Sequence, residues 1–181
     1  MELTEGRTLL REFAEEDVSG LLAIHSDPRV LRYYPPELGT PEHARMLVGM
    51  FIRWANEYPR DNFQFAIVDR PANVLLGSCG IRRKGCPQGQ AEFGIGIDAN
   101  CWGKGIAREA ARIILRFGFD ELDLHEVHSV TVSQNEGVTK FVRRLGFRPG
   151  IPRRGEPWMA AREWTALDWV MTRETWMQQI G

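Results

Sequence analysis

A mixed α/β fold, with a largely antiparallel twisted sheet of about six to seven strands flanked by helices, is what this sequence predicts, and three observations predict it. Two β-patterned runs, Asn62 to Asp69 and Val74 to Arg83, meet across the turn Arg70-Pro71-Ala72-Asn73, the arrangement of an antiparallel hairpin. A strand pattern from Glu92 to Ile97 runs through a glycine turn into a helical pattern and on to a strand at Val127 to Val132, which normally gives a parallel pair with a right-handed crossover. The 181 residues, 43% hydrophobic and 26% charged, suffice for one well-buried core and are short for two, so residues 1–181 read as one domain.

In chain order, Thr8 to Phe13 reads as a short strand. Glu15 to His25 reads as a helix with Val18, Leu21, Leu22 and His25 on one stripe, which makes His25 a half-buried packing residue rather than a catalyst. Pro35 and Pro36 stiffen the loop that follows Tyr33 and Tyr34, and Thr40-Pro41 supplies a cap and a first-turn proline to a helix carrying Met46, Leu47, Met50, Phe51 and Trp54. From Glu92 to Ile97 the residues alternate: Phe93, Ile95 and Ile97 share one face, and Glu92, Gly94 and Gly96 the other. Beyond the polar turn Asp98-Ala99-Asn100, Ala107, Ala110, Ala111, Ile114 and Phe117 form a helical stripe. Asn135 caps a further helix with Val138, Phe141, Val142 and Leu145 on one side, Gly146 ends it, and Trp164 to Met171 is a strand that closes the sheet.

Net charge of -1 and a pI near 6.4 give no global attraction to nucleic acid or to an anionic membrane. Cys79, Cys86 and Cys101 are odd in number, lack C-x-x-C spacing and follow no signal-peptide pattern, and the apolar runs are too short to span a bilayer, so the expected setting is reduced and cytoplasmic. His125 and His128 lack the further ligands a metal would need, and no metal is expected. Trp158, Trp164, Trp169 and Trp176 read as core or as contact with a second subunit in a homodimer. Arg82-Arg83-Lys84 reads as a solvated hairpin end.

The chemistry concentrates at Trp102-Gly103-Lys104-Gly105-Ile106-Ala107. The first N–H groups of a helix have no internal partners and carry about half a positive charge from the macrodipole. Gly103 and Gly105 have no side chains to keep an anion away from those donors. Two readings stand for the turn itself, an anion cradle and a tight turn whose glycines supply only unusual dihedrals. A Walker loop is excluded, because Asp98 stands where its first glycine should be and Gly105 follows Lys104. Gly94 to Ala99 fits G-x-G-x-x-[GA] as a string, but it lies inside the strand and ends before the helix opens.

Trp102 to Ala107 resembles the [QR]-x-x-G-x-[GA] acyl-CoA loop of the GNAT superfamily of N-acyltransferases, with Trp in the first position. A-E-F-G-I-G-I before the loop, and H-E-V-H-S-V-T-V-S-Q-N and R-R-L-G-F after it, are similar to the ribosomal-protein N-terminal acetyltransferase branch. The resemblance implies a splay between two central parallel strands and acetyl transfer from acetyl-CoA to a primary amine, on a protein N-terminus or a small molecule. It implies acetyl-CoA contacts at Ile95, Gly96, Ile97, Trp102, Gly103, Lys104, Gly105, Ile106, Ala107 and Asn135, and an acceptor wall near Tyr33, Tyr34 and Trp54. Asn135 has its cap role as an alternative, and Trp54 its packing role. Gly94 and Gly96 would permit a bulge that turns backbone N–H groups toward the thioester carbonyl. Glu92 is the best-placed general base, against the alternative of a solvent-facing carboxylate, with His128 in reserve. The sequence departs from the family at Val138 and Val142, which stand where a Ser and a Tyr often do and cannot donate a proton; a non-catalytic acyl-CoA-binding module is therefore the second reading.

Overall fold

A computed structural model describes residues 1–180. Asn62–Asp69 (β3) and Val74–Arg82 (β4) pair antiparallel as the turn chemistry requires, and Asn73 takes the left-handed φ of 51°. Glu2–Glu5 (β1) and Thr8–Arg11 (β2) extend the antiparallel ladder from β3 outward. Gln90–Ile97 (β5) runs antiparallel to β4 and parallel to Glu126–Val132 (β6), and Arg148–Arg154 (β7) and Thr165–Thr172 (β8) complete the sheet. Its order is β1-β2-β3-β4-β5-β6-β8-β7.

Eight strands stand where six to seven were expected. The difference arises from β1, which the sequence reading did not find, and from β7, which carries Pro149 and Pro152 and buries no residue. A strand without those two amide donors and without apolar alternation can sit only at an edge, and β7 is the edge. The expected closing strand, β8, lies inside the sheet between β6 and β7, so Trp169 is buried and its Nε1 donates to Thr131 Oγ1 at 2.8 Å. No bulge forms at Gly94 or Gly96, where the β4–β5 register is regular; the register shifts fall at Ile67/Val68 of β3 and Pro149/Pro152 of β7.

The helices are Asp17–Ser26 (α1), Pro28–Leu31 (α2), Pro41–Ala55 (α3), Ile106–Arg116 (α4), Glu136–Arg144 (α5), Pro157–Ala160 (α6) and Arg173–Ile180 (α7). One sheet face packs Leu10, Phe65, Ile81, Phe93, Val127 and Trp169 against Ala110, Ala111 and Ile114 of α4, Val142 of α5 and Trp176 of α7. The other is covered over β2 to β4, where Phe13, Leu21, Val48 and Phe51 pack on Ala66 and Val68, and again at the end of β6, where Met159 packs with Val132 and Ala166 of β8. On that same face β5 and β6 present Gln90, Glu92, Glu126 and His128, all half-buried or exposed. None of the described helices is long and apolar enough to cross a membrane.

Local chemistry fixes the helix ends. Thr40 Oγ1 accepts from His43 N at 3.3 Å, and Asn135 Oδ1 accepts from Val138 N at 3.2 Å. Gly146, at a φ of 97°, donates to Arg143 O while Phe147 donates to Val142 O, which together close the C-terminus of α5.

His25 lies half-buried on α1, with Nδ1 unpartnered among the described residues, and burial followed by the charge of His43 pushes its pKa down to about 4. A histidine held neutral in the fold and titrating near 6.5 when unfolded contributes stability that is complete above the unfolded value and is lost as pH falls toward the folded one. Between pH 7 and pH 4 the protein should lose about 3 kcal/mol from this residue. Denaturant titrations at both pH values should show that loss shrinking by that amount in a His25→Gln variant; an unchanged loss would assign the acid sensitivity to other groups.

Candidate active site

The site begins where β5 and β6 part. Their parallel pairing comprises Gln90 with Glu126, Ala91 with Val127 and Glu92 with His128, and beyond Glu92 the strand from Phe93 to Ile97 pairs only with β4. The splay is therefore present, and Glu92 and His128 stand at its fork. Gly96, in the splayed part, has neither a positive φ nor any atom within 4 Å of where a Cβ would lie. Nothing in the protein itself requires glycine there, and the space it leaves opens into a crevice.

After β5, Asp98 Oδ1 accepts from Asn100 N at 2.7 Å and turns the chain toward α4. Trp102 Nε1 donates to Ile97 O at 3.1 Å, so the indole ties the end of β5 to the loop. Gly103 and Gly105 take φ values of 73° and 85°, a region that side chains disfavour, and Gly105 is the N-cap of α4. The N–H groups of Gly103, Gly105, Ile106 and Ala107 donate to no acceptor among the described residues. A Cβ at either glycine would meet nothing within 4 Å. Unpartnered amides, open space and the positive end of α4 together fit a phosphate-bearing ligand. The dihedrals that need glycine are also the ones that bare the amides.

A crevice of about 350 Å³ joins the loop to the splay. Of the residues singled out in the sequence, Ile95, Gly96, Ile97, Trp102, Gly103, Gly105, Ala107 and Asn135 line it, as do Tyr33 and Tyr34. Lys104 instead borders a separate hollow with Arg7, Asp69 and Glu109, and Ile106 packs on the large core. Trp54 packs against Phe51, 5.6 Å between ring centres, away from the crevice. Val138 lines the crevice, whereas Val142 is 1% exposed in the core. The sequence reading missed Val30, Cys101, Gly137 and Phe141. Phe141 belongs to the apolar stripe of α5 and Cys101 adjoins the glycine loop; Val30 lies on a four-residue helix whose pattern carries no such signal.

Glu92 does not line the crevice wall. Its side chain is 52% exposed, and its Oε1 accepts from Arg82 Nη2 at 2.6 Å. Arg82 Nη1 donates to Gln64 Oε1 at 3.0 Å and Arg83 Nη2 to the Arg60 carbonyl at 2.6 Å, so neither is a solvated hairpin end, and of the three only Lys84 is exposed. Across the fork His128 Nε2 lies 2.9 Å from Glu126 Oε1 and 3.1 Å from Gln90 Oε1. Tyr34 keeps 37% of its surface exposed at the crevice border, yet its hydroxyl is held above the ordinary phenol range by burial, with the Arg82 charge pulling the other way. Among the described residues no three His, Cys, Asp or Glu side chains are grouped to hold a metal.

Comparison with known proteins gives this geometry a context. Residues 7–148 match the model of the acetyltransferase (GNAT) domain. The Bacillus subtilis (strain 168) protein YnaD, named as an uncharacterized N-acetyltransferase, is 29% identical over 165 residues, covering 87% of this chain and 92% of that protein. A GNAT-family acetyltransferase from Bacillus anthracis superposes with a TM-score of 0.80 at 23% identity, over 96% of this chain and 99% of its own. The ribosomal-protein-S5-alanine acetyltransferase of Vibrio fischeri gives a TM-score of 0.80 at 16% identity, over 97% and 98%. The chain belongs to the GNAT acetyltransferase family, whose members use acetyl-CoA, and acyl transfer from acetyl-CoA to an amine is the activity that membership implies.

Proposed function

We propose that this protein, as one domain over residues 1–181, is an acetyl-CoA-dependent N-acetyltransferase of the ribosomal-protein N-terminal acetyltransferase branch, moving an acetyl group directly to a primary amine of a protein N-terminus or a small molecule in the reduced cytoplasm, alone or as a homodimer. The observation that carries the reading is the set of unpartnered amides of Gly103, Gly105, Ile106 and Ala107 beside the crevice that ends in the splay. The N–H groups of Gly103, Gly105, Ile106 and Ala107 hold the pyrophosphate, with Trp102 and Lys104 flanking it. Ile95, Gly96 and Ile97 bind the pantetheine arm and direct free backbone toward the thioester carbonyl, where negative charge develops. Asn135 keeps its cap on α5 and contacts the arm with its amide.

Acetyl-CoA supplies the acetyl group already activated as a thioester. Glu92, at the fork, takes the proton of the incoming ammonium, and Tyr33 and Tyr34 border the acceptor. Val138 and Val142 donate nothing to the departing sulfur, but a thiol with an ordinary pKa near 8.5 is a fair leaving group without a dedicated acid. The name of the Vibrio fischeri fold neighbour supports testing a peptide with an N-terminal alanine first.

Binding and turnover are separate tests. CoA at a hundred times its dissociation constant should stabilise the fold by about 2.7 kcal/mol, visible as a melting shift that NAD does not give. No shift with CoA would remove the reading. Release of free thiol from acetyl-CoA with alanyl peptide, lysine, polyamine or amino acid acceptors would establish the enzyme. The two valines favour the second reading, a non-catalytic acyl-CoA-binding module, and CoA binding without thiol release from any acceptor would support it.

A further inference from the structure

We propose that Arg82 is a positioning residue of the acetyl-transfer site, its guanidinium laid across Gly94 so as to fix the Glu92 carboxylate at the fork of β5 and β6. The inference rests on the reading of Glu92 as the base that meets the acceptor amine.

Strand register builds the arrangement. Asn62, Arg82, Glu92 and His128 are successive cross-strand partners from β3 to β6, so one row of side chains crosses a single face of the sheet, from buried Asn62 out to the fork at the last paired position of β5. The adjacent row is Gln64, Gly80 and Gly94. Neither glycine has a positive φ, so neither is there for its dihedrals. A Cβ at Gly80 would collide with Gln64 Oε1, and one at Gly94 would lie 2.6 Å from Arg82 Nη2. The Gln64 amide thus occupies the space over Gly80, and the Arg82 guanidinium the space over Gly94.

Gln64 is 4% exposed and accepts from Arg82 Nη1 at 3.0 Å, so the buried end of the pair is anchored. Nη2 then donates to Glu92 Oε1 at 2.6 Å. A planar guanidinium held at one edge by a buried amide restricts where a carboxylate can sit on its other edge. A lone glutamate on an exposed strand position would sample several rotamers. Arg82 selects one of them, and the Arg82 charge also acts on the Tyr34 hydroxyl at the crevice border.

The test removes the guanidinium in two ways. Arg82→Gln deletes it, and Gly94→Ala leaves every charge in place while its methyl takes the guanidinium's seat. Misplacing a reacting group by about 1 Å can cost on the order of a hundredfold, and each variant should lower kcat by about ten- to a hundredfold with KM for acetyl-CoA and the CoA melting shift unchanged. The double variant Arg82→Gln/Gly94→Ala should be no slower than Arg82→Gln, and Arg82→Gln should cost little in a Glu92→Gln background, because each pair acts through one contact. Added guanidinium should partly restore Arg82→Ala, which a loss of packing would not allow, and Arg82→Lys should recover only part of the rate. Wild-type kcat in both single variants, beside a slow Glu92→Gln, overturns the role of Arg82 and leaves the base reading standing. Additive losses for Arg82→Gln and Gly94→Ala also overturn it. A wild-type rate in Glu92→Gln overturns the base reading, and the role of Arg82 with it.

Discussion

Gly105→Glu should abolish the melting shift given by CoA at a hundred times the wild-type dissociation constant, while the protein stays folded. Gly105 is the N-cap of α4 at a φ of 85°, and a Cβ there meets no atom within 4 Å. The fold therefore bears only the left-handed backbone of a non-glycine residue, roughly 1–2 kcal/mol, against a stability of about 5–15 kcal/mol for an ordinary domain. The ligand bears much more. A carboxylate beside the amides of Ile106 and Ala107 satisfies the helix end from within and opposes a pyrophosphate by like charge. Gly105→Ala separates the two effects, since it should lower the melting temperature yet keep a CoA shift. Lys104→Ala should be milder than Gly105→Glu, as its side chain borders the hollow with Arg7 and Asp69 rather than the crevice. A CoA shift retained in Gly105→Glu would place the cofactor elsewhere.

The reason this loop can be read from sequence is that its signal is local. Glycines before an apolar helical stripe declare both the dihedrals and the bare amides, and in the structure Gly103, Gly105 and α4 carry both. The caps at Thr40 and Asn135 and the Gly146 terminus are legible for the same reason, each being a contact within a few residues of the chain. The strand–helix–strand order likewise fixes the parallel β5–β6 pair. By contrast, β7 is a strand because β8 offers it an edge, and its own Arg148 to Arg154, with two prolines and no alternation, says nothing of the kind. The buried side of α1 is centred on Asp17, Leu21 and Ile24 rather than on the Leu22 and His25 flank, since the ion pair of Asp17 with Arg11 at 2.7 Å brings a charged position inward. Periodicity counts apolar residues and cannot see that pairing.

Arg82 shows the same limit at the site. Beside Arg83 and Lys84 it looks like one third of a basic hairpin end. Only the register that sets it opposite Glu92, one row from Gly94, separates it from its neighbours. The signal lay in the glycines of the next strand: a strand glycine without a positive φ marks a side chain or ligand passing over it. Gly94 admits a guanidinium, and Gly96 opens on the crevice.

Glu92→Gln should lower kcat/KM by roughly a hundred- to ten-thousandfold, the usual contribution of general base catalysis, with CoA affinity nearly unchanged. An acceptor amine arrives largely protonated at neutral pH, since α-amines titrate near 8 and lysines above 10, and it cannot attack a carbonyl until that proton leaves. Glu92 is the carboxylate at the last paired position before β5 and β6 diverge, on the face it shares with Gly94 and Gly96. Its side chain lies outside the crevice wall and is 52% exposed, so as the base it would have to meet the acceptor from that face of the sheet. In Glu92→Gln the residual rate should climb with pH as free amine accumulates, by close to tenfold between pH 7 and pH 8 for a lysine and by only about fivefold for an α-amine, because the α-amine already titrates there. A variant with the wild-type rate and pH profile would make Glu92 a surface ion pair with Arg82 and nothing more. His128, held between Gln90 and Glu126 on the other side of the fork, would then be the group to replace.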